Sequence, residues 1–168
     1  MNQLRDAYVE LLQDLYDAEQ QITRALPQIS QAVSHQEVRR AFDEHVQQTQ
    51  GQIRRLEQIF QRMGQTPGGK PCRGVQALIQ EAQEKIQRGG DPDTLDAVLI
   101  ACAQKVEHYE ISGYGTARTW ALHMNEGDAA ELLQQTADEE GQTDKRLTDL
   151  AQTRINREAL PNPQMAGA

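Results

Sequence analysis

Little in this sequence favours a β-rich, disulfide-bonded, membrane-bound or nucleic-acid-binding protein. Aromatic residues are 4% of the 168 positions. Val, Ile and Thr are scattered rather than alternating, so strands lack their usual pattern. Cysteine occurs only twice, at Cys72 and Cys102. That is too few for a disulfide framework and fits a reducing cytoplasm. The longest apolar run, Ala97–Ala103, falls far short of a membrane span. Met1–Asp6 carries no apolar signal region. Basic residues are outnumbered, 17 against 25 acidic, for a net charge of −8. An acidic surface repels phosphate backbones and anionic membranes, so neither is an expected partner. Gly64–Gly69 contains no Gly-Lys-Ser/Thr and no Gly-x-Gly-x-x-Gly, so a phosphate loop is missing too.

What the sequence does have is helix formers. Gln, Leu, Ala, Glu and Arg dominate, which predicts an all-α chain. Apolar residues recur at three-to-four spacing in four long segments and one short one. The first runs from about Leu4 to Val33 through Tyr8, Leu12, Leu15, Ala18, Ile22, Leu26 and Ile29, with a bend or break expected at Pro27. The second spans about Glu37–Met63 and stops at Gly64. A short helix over about Gly74–Gln87 presents Val75, Leu78, Ile79, Ala82 and Ile86 on one face. The third long helix starts near Asp93 or Thr94, either of which can cap it, and runs to about His123. The fourth covers about Asp128–Thr153. One domain is expected over 1–158, followed by a disordered tail over 159–168.

Chain lengths between the helices constrain the topology. A 26-residue helix is about 39 Å long. The first and second helices have a short connection and should be antiparallel neighbours, and so should the third and fourth. About 30 residues separate the second from the third. That segment recrosses the bundle and lets those two helices run parallel. Two hairpins joined by one long crossover make a ferritin-like four-helix bundle, here with a short extra helix on the crossover.

The informative residues are polar ones in phase with the apolar stripes. Glu19 stands between Leu15 and Ile22. His45, Gln48 and Gln52 stand between Phe42 and Leu56. Glu107, Glu110 and Tyr114 follow Ile100 and Ala103. Glu140 and Asp144 lie between Leu133 and Leu147. Buried carboxylates repel one another and need protons, water, bases or cations. No Lys or Arg falls on the inner stripes, Lys105 being nearest and off phase. Carboxylates from four bundle helices can hold two iron or manganese ions. The other reading of the spacing is a polar layer near the bundle end or facing solvent.

Several segments resemble the YciE/YciF family, bacterial ferritin-like proteins associated with stress responses. They are Leu15–Gln21, Thr23–Pro27, Thr49-x-Gly51-Gln52-Ile53, Gln104–Ile111, Tyr114–Thr116 and Glu139-Glu140-x-x-Thr143-Asp144. Lys70-x-Cys72 matches that family's link after the second helix. The resemblance covers about residues 3–155, and Val106–Thr116 is its most specific part. It implies a bundle that is commonly dimeric, with a metal site like that of rubrerythrins. The implied ligands are Glu19, Glu107, Glu110, Glu140 and Asp144, with Tyr114 one turn beyond Glu110. Asp144 stands where rubrerythrins carry His. Gln48 stands where related sequences carry Glu, and a neutral amide cannot bridge two metals as a carboxylate does. By its phase His45 reads as a ligand, as a donor to a ligand carboxylate or as a core histidine, the second being favoured, and Gln52 is placed beside the ligands.

The function expected is a cytoplasmic, stress-associated homodimer binding iron or manganese, with dioxygen or peroxide as a small oxidant. The alternative, motivated by Gln48 and the missing histidine ligands, is a metal-free helical dimer acting as a structural or interaction protein. His108 should point outward. Cys102 reads as a small core residue. Arg39-Arg40 and Arg54-Arg55 read as helix-surface charges that suit salt bridges with Glu and Asp rather than a nucleic-acid patch. Gly113 and Gly115 inside the third long helix would permit close helix approach.

Overall fold

The computed structural model describes residues 3–160. In chain order the helices are α1 (Leu4–Ala32), α2 (Gln36–Arg62), α3 (Arg73–Arg88), α4 (Pro92–His123) and α5 (Gly127–Leu150). A π-helical turn, Ala151–Ile155, carries α5 into a last short turn, α6 (Asn156–Glu158). The described residues contain no strand. Of the expected tail, residues 161–168 lie outside the described residues.

α1 runs through Pro27 without interruption. A proline removes one helical hydrogen bond and crowds the preceding turn. Here its ring is exposed, while Leu26, Ile29 and Val33 are anchored in the core on the other side. Packing of that face outweighs the local defect. α4 begins earlier than expected. Asp91 is the cap, accepting the Thr94 N–H at 2.8 Å, with Pro92 in the first helical turn. Proline suits that place because its missing N–H would be unpaired anyway.

The long helices form a four-membered ring in which α1 packs on α2 and α4, and α5 packs on α4 and α2. Cross-links fix the directions. Tyr16 reaches Glu57 and Ser30 reaches Asp43, so α1 and α2 are antiparallel. Arg62 meets Asp128 while His45 meets Thr143, so α2 and α5 are antiparallel. Tyr114 on α4 meets Glu19 on α1, and Asp96 near the start of α4 meets Ser34 just past the end of α1. Both α2 and α4 therefore oppose α1 and run parallel to each other. Gly113 lets α1 and α4 close up, since a Cβ there would lie 2.8 Å from Leu15 Cδ2. Gly115 has open space and plays no such part.

The crossover is tied down at the head of α3. The Cys72 N–H donates to Asp17 Oδ2 at 2.7 Å. The Tyr109 hydroxyl donates to Asp14 Oδ2 at 2.6 Å, and the Cys72 thiol lies 3.3 Å from the same oxygen. Burial and the neighbouring Asp14 push the Cys72 thiol pKa up, so this cysteine is a packing group rather than a nucleophile. α3 then lies against α1 and α4.

One buried carboxylate serves the fold alone. Asp96 accepts the Ser34 N–H at 2.9 Å, the Ser34 hydroxyl at 2.7 Å and the His35 N–H at 2.7 Å. It thereby clamps the α1–α2 corner to α4. Asp96→Ala should lower stability by about 3 kcal/mol, because hydrogen bonds to a charged acceptor contribute more than neutral ones and three donors lose their partner. Urea unfolding followed by circular dichroism measures this, with helix content of the folded variant unchanged.

Candidate metal centre

The interior is two apolar slabs with a polar layer between them. Ile22, Leu26, Phe42, Leu99, Ile100 and Leu147 belong to one slab. Tyr8, Leu12, Leu15, Leu56, Phe60 and Leu133 belong to the other. Each long helix crosses the boundary near its middle, and each places a polar residue there in phase with its apolar stripe. α1 contributes Glu19, α2 contributes His45 and Gln52, α4 contributes Glu107 and Glu110, and α5 contributes Glu140. Each is at most 3% exposed. The expected inward phase of these residues is therefore realised, and the layer lies in mid-bundle rather than at an end.

His45, Glu107, Glu110 and Glu140 each offer one ligand atom, and those atoms all lie within 4.8 Å of one another. His45 Nε2 lies 3.4 Å from Glu107 Oε1 and 3.7 Å from Glu140 Oε2. Glu19 stands beside this group, hydrogen-bonded by the Tyr114 hydroxyl, and its charge raises the pKa of Glu110. Gln52 donates its amide to Glu140. Nine buried side-chain polar atoms lack a hydrogen-bond partner among the described residues, and seven belong to this layer. They are Glu19 Oε2, His45 Nε2, Gln52 Oε1, Glu107 Oε2, both Glu110 oxygens and Glu140 Oε2. Buried oxygens without donors are costly, so the layer calls for protons or cations. Oxygen-rich donors with one imidazole suit iron or manganese.

Two of the expected ligand positions sit elsewhere. Gln48 is half-buried and faces the far nitrogen of His45, with its Oε1 3.3 Å from Nδ1. Thr143 Oγ1 lies 3.4 Å from both atoms. An Nδ1–H donated to Gln48 leaves the Nε2 lone pair aimed at the carboxylates. Asp144 is turned toward α4, where its Oδ1 accepts from Gln104 Nε2 at 2.9 Å and lies 3.4 Å from His108 Nε2. His108 is on the outside, as expected.

Arg55 pairs with an acid, as expected, but it is half-buried rather than on the surface. Its Nε donates to Thr136 Oγ1 at 2.9 Å, it pairs with Glu139, and it is close enough to favour the charged form of Glu19. Its adjacency to the inner position Leu56 hid this, because an arginine stem can follow the apolar face while its head turns inward. Lys105 pairs with Glu81 on the surface and does nothing for the layer.

The charge balance remains poor. Burial is the largest cause raising the carboxyl pKa values of Glu19, Glu107 and Glu110 well above the ordinary range. The neighbouring Glu140 pushes Glu107 further, and Glu19 adds to the rise at Glu110. Tyr114 is also held neutral, by burial and by Glu19. Without a cation, burial favours the protonated forms of Glu19, Glu107 and Glu110.

Residues 3–160 match the family model described as a domain of unknown function, DUF892. The chain belongs to the DUF892 family. Within that family it is 41% identical to the protein YciF of Escherichia coli strain K12 over 160 residues, 95% of this chain and 96% of that one. The crystal structure of that stress protein superposes with a TM-score of 0.90, covering 94% of this chain and 99% of the other. YcfI of Rhodopseudomonas palustris is 37% identical, with a TM-score of 0.86 over 88% and 94% of the two chains. The YciE/YciF resemblance of the sequence is thus confirmed. A two-domain Anabaena variabilis protein with DJ-1/ThiJ/PfpI-like and ferritin-like domains is 19% identical, with a TM-score of 0.66 over 93% of this DUF892 chain and 38% of that protein. That likeness confirms the ferritin-like fold.

A group with a raised native pKa binds more protons folded than unfolded, so stability falls as pH rises. For Glu19, Glu107 and Glu110 the loss begins near the ordinary carboxyl value of 4.5 and continues upward. Metal-free protein should therefore have a lower urea midpoint at about pH 8 than at about pH 5. A metal-free midpoint that climbs steadily over this range contradicts the assignment.

Proposed function

We propose that the chain is a stress-associated protein that binds iron or manganese in the mid-bundle layer, with a small oxidant as its reaction partner. The observation that supports this best is the set of seven buried polar atoms without partners, converging from four helices. The residues that would hold metal are Glu19, His45, Glu107, Glu110 and Glu140. Four carboxylates match the charge of two divalent ions, which is the stoichiometry proposed. When bound, the metal would supply one-electron redox chemistry and a Lewis-acidic position for dioxygen or peroxide.

The chain's own residues have distinct tasks in this reading. Gln52 orients Glu140 through its amide, and Tyr114 orients Glu19 through its hydroxyl. Gln48 and Thr143 set the ring of His45 from the Nδ1 side. Glu107 and Glu110 release the protons they hold when a cation enters, so affinity should rise with pH. The two apolar slabs exclude water from both sides of the layer. Both cysteines are free, which suits a cytoplasmic setting, and a homodimer completes the proposal.

Elemental analysis of untagged protein reconstituted with iron or manganese under anaerobic conditions should give two ions per chain. Glu107→Ala with Glu140→Ala should abolish uptake while circular dichroism stays helical, and undiminished uptake would sink the site. Gln48→Ala should weaken binding by roughly ten-fold, the scale expected when the partner of a ligating histidine is lost. No metal in the wild-type protein would favour a structural or interaction role instead.

A further inference from the structure

α3 stands outside the four-helix ring and covers the groove between α1 and α4. The cover is incomplete. A cavity of about 30 Å³ lies beneath it. Its walls include Ile22 and Leu26 from α1, Ile79 and Ala82 from α3, and Leu99 and Ala103 from α4. Its remaining walls are apolar too, apart from the Cys102 thiol and the inner end. There it meets His45 and Glu107, whose Nε2 and Oε2 atoms have no hydrogen-bond partner. Ile79 and Ala103 on the outer side are only partly buried, while Leu99 at the base is fully buried. The cavity thus runs from beneath the α3–α4 seam to one edge of the polar layer.

Its size and lining select what can enter. About 10–15 Å³ suffices for one water, but a water held there needs two to four polar partners. Along the walls it would find only the weakly bonding Cys102 thiol, with His45 Nε2 and Glu107 Oε2 reached only at the inner end. An ion or a hydrogen-bonding oxidant such as peroxide would lose most of its hydration along those walls. A neutral diatomic molecule loses almost nothing and fits the volume. We propose that this cavity binds dioxygen and admits it to the His45–Glu107 edge of the layer. Its use there rests on the metal reading above. The cavity itself does not, because its walls are present in the metal-free chain.

The test uses metal-free full-length protein and dioxygen itself. Under a few atmospheres of the gas, paramagnetic relaxation of methyl protons reports where it resides. Methyls of Ile22, Ile79 and Leu99 should relax about three-fold faster than those of Leu12 and Leu133 in the other slab, since an apolar void concentrates an apolar gas. Ala82→Leu and, independently, Ala103→Phe should fill the space and erase the difference. Leu99→Ala enlarges it and should increase the relaxation of Ile22. Equal relaxation in both slabs, or a difference that survives filling, overturns the proposal. Metal uptake is measured separately, so either idea can fail without the other.

Discussion

Four glutamates enter the middle of this bundle with no lysine and a single, partly committed arginine to balance them. That is the constraint on which the rest of the structure turns. Desolvating one carboxylate without a partner is expensive, and neighbouring carboxylates add repulsion. Glu19, Glu107, Glu110 and Glu140 are nevertheless almost wholly buried. The fold tolerates them because apolar slabs above and below contribute the burial that holds the helices together. Hydrogen bonds from Tyr114 and Gln52 satisfy one oxygen each on Glu19 and Glu140. For Glu107 and Glu110, burial favours the protonated form, which lowers their mutual repulsion.

The surrounding architecture follows from holding four helix midpoints in register. Asp96 clamps the α1–α2 corner to α4 at one end. At the other, Arg62 meets Asp128 and Arg5 meets Glu126, closing the ring from the solvent side. The crossover is more than a connection. It delivers α3, anchored at Cys72, over the α1–α4 groove, and so decides what can reach the layer from that side. A simple up-down bundle would leave that groove open to water.

Periodicity disclosed the helices and the inward acids because both are local properties of the chain. Glu19, Glu107, Glu110 and Glu140 each break an apolar stripe in phase, and burial bears out that pattern. Properties that depend on partners were harder to read. Gln48 and His45 are three residues apart on the same helix, and spacing alone does not say which one presents its polar end to the layer. Asp144 follows Glu140 by one turn, yet Gln104 and His108 draw it to the α4 side. Asp96 lies on an apolar stripe without any local sign that Ser34 and His35 await it. Arg55 is adjacent in sequence to Arg54, and only the packing of α5 turns it toward Thr136 and Glu139. Pro27 reads as a breaker until the core on its far side is known.

In the metal-free chain, burial favours carboxylic acid over carboxylate at Glu107 and Glu110. Infrared difference spectroscopy tests it directly, because a protonated carboxyl group has a C=O stretch distinct from the carboxylate bands. Metal-free protein at neutral pH should show buried carboxylic acid signals that Glu107→Gln and Glu110→Gln each reduce, and manganese should remove them. A metal-free spectrum with carboxylate bands alone, unchanged by manganese, would contradict the account.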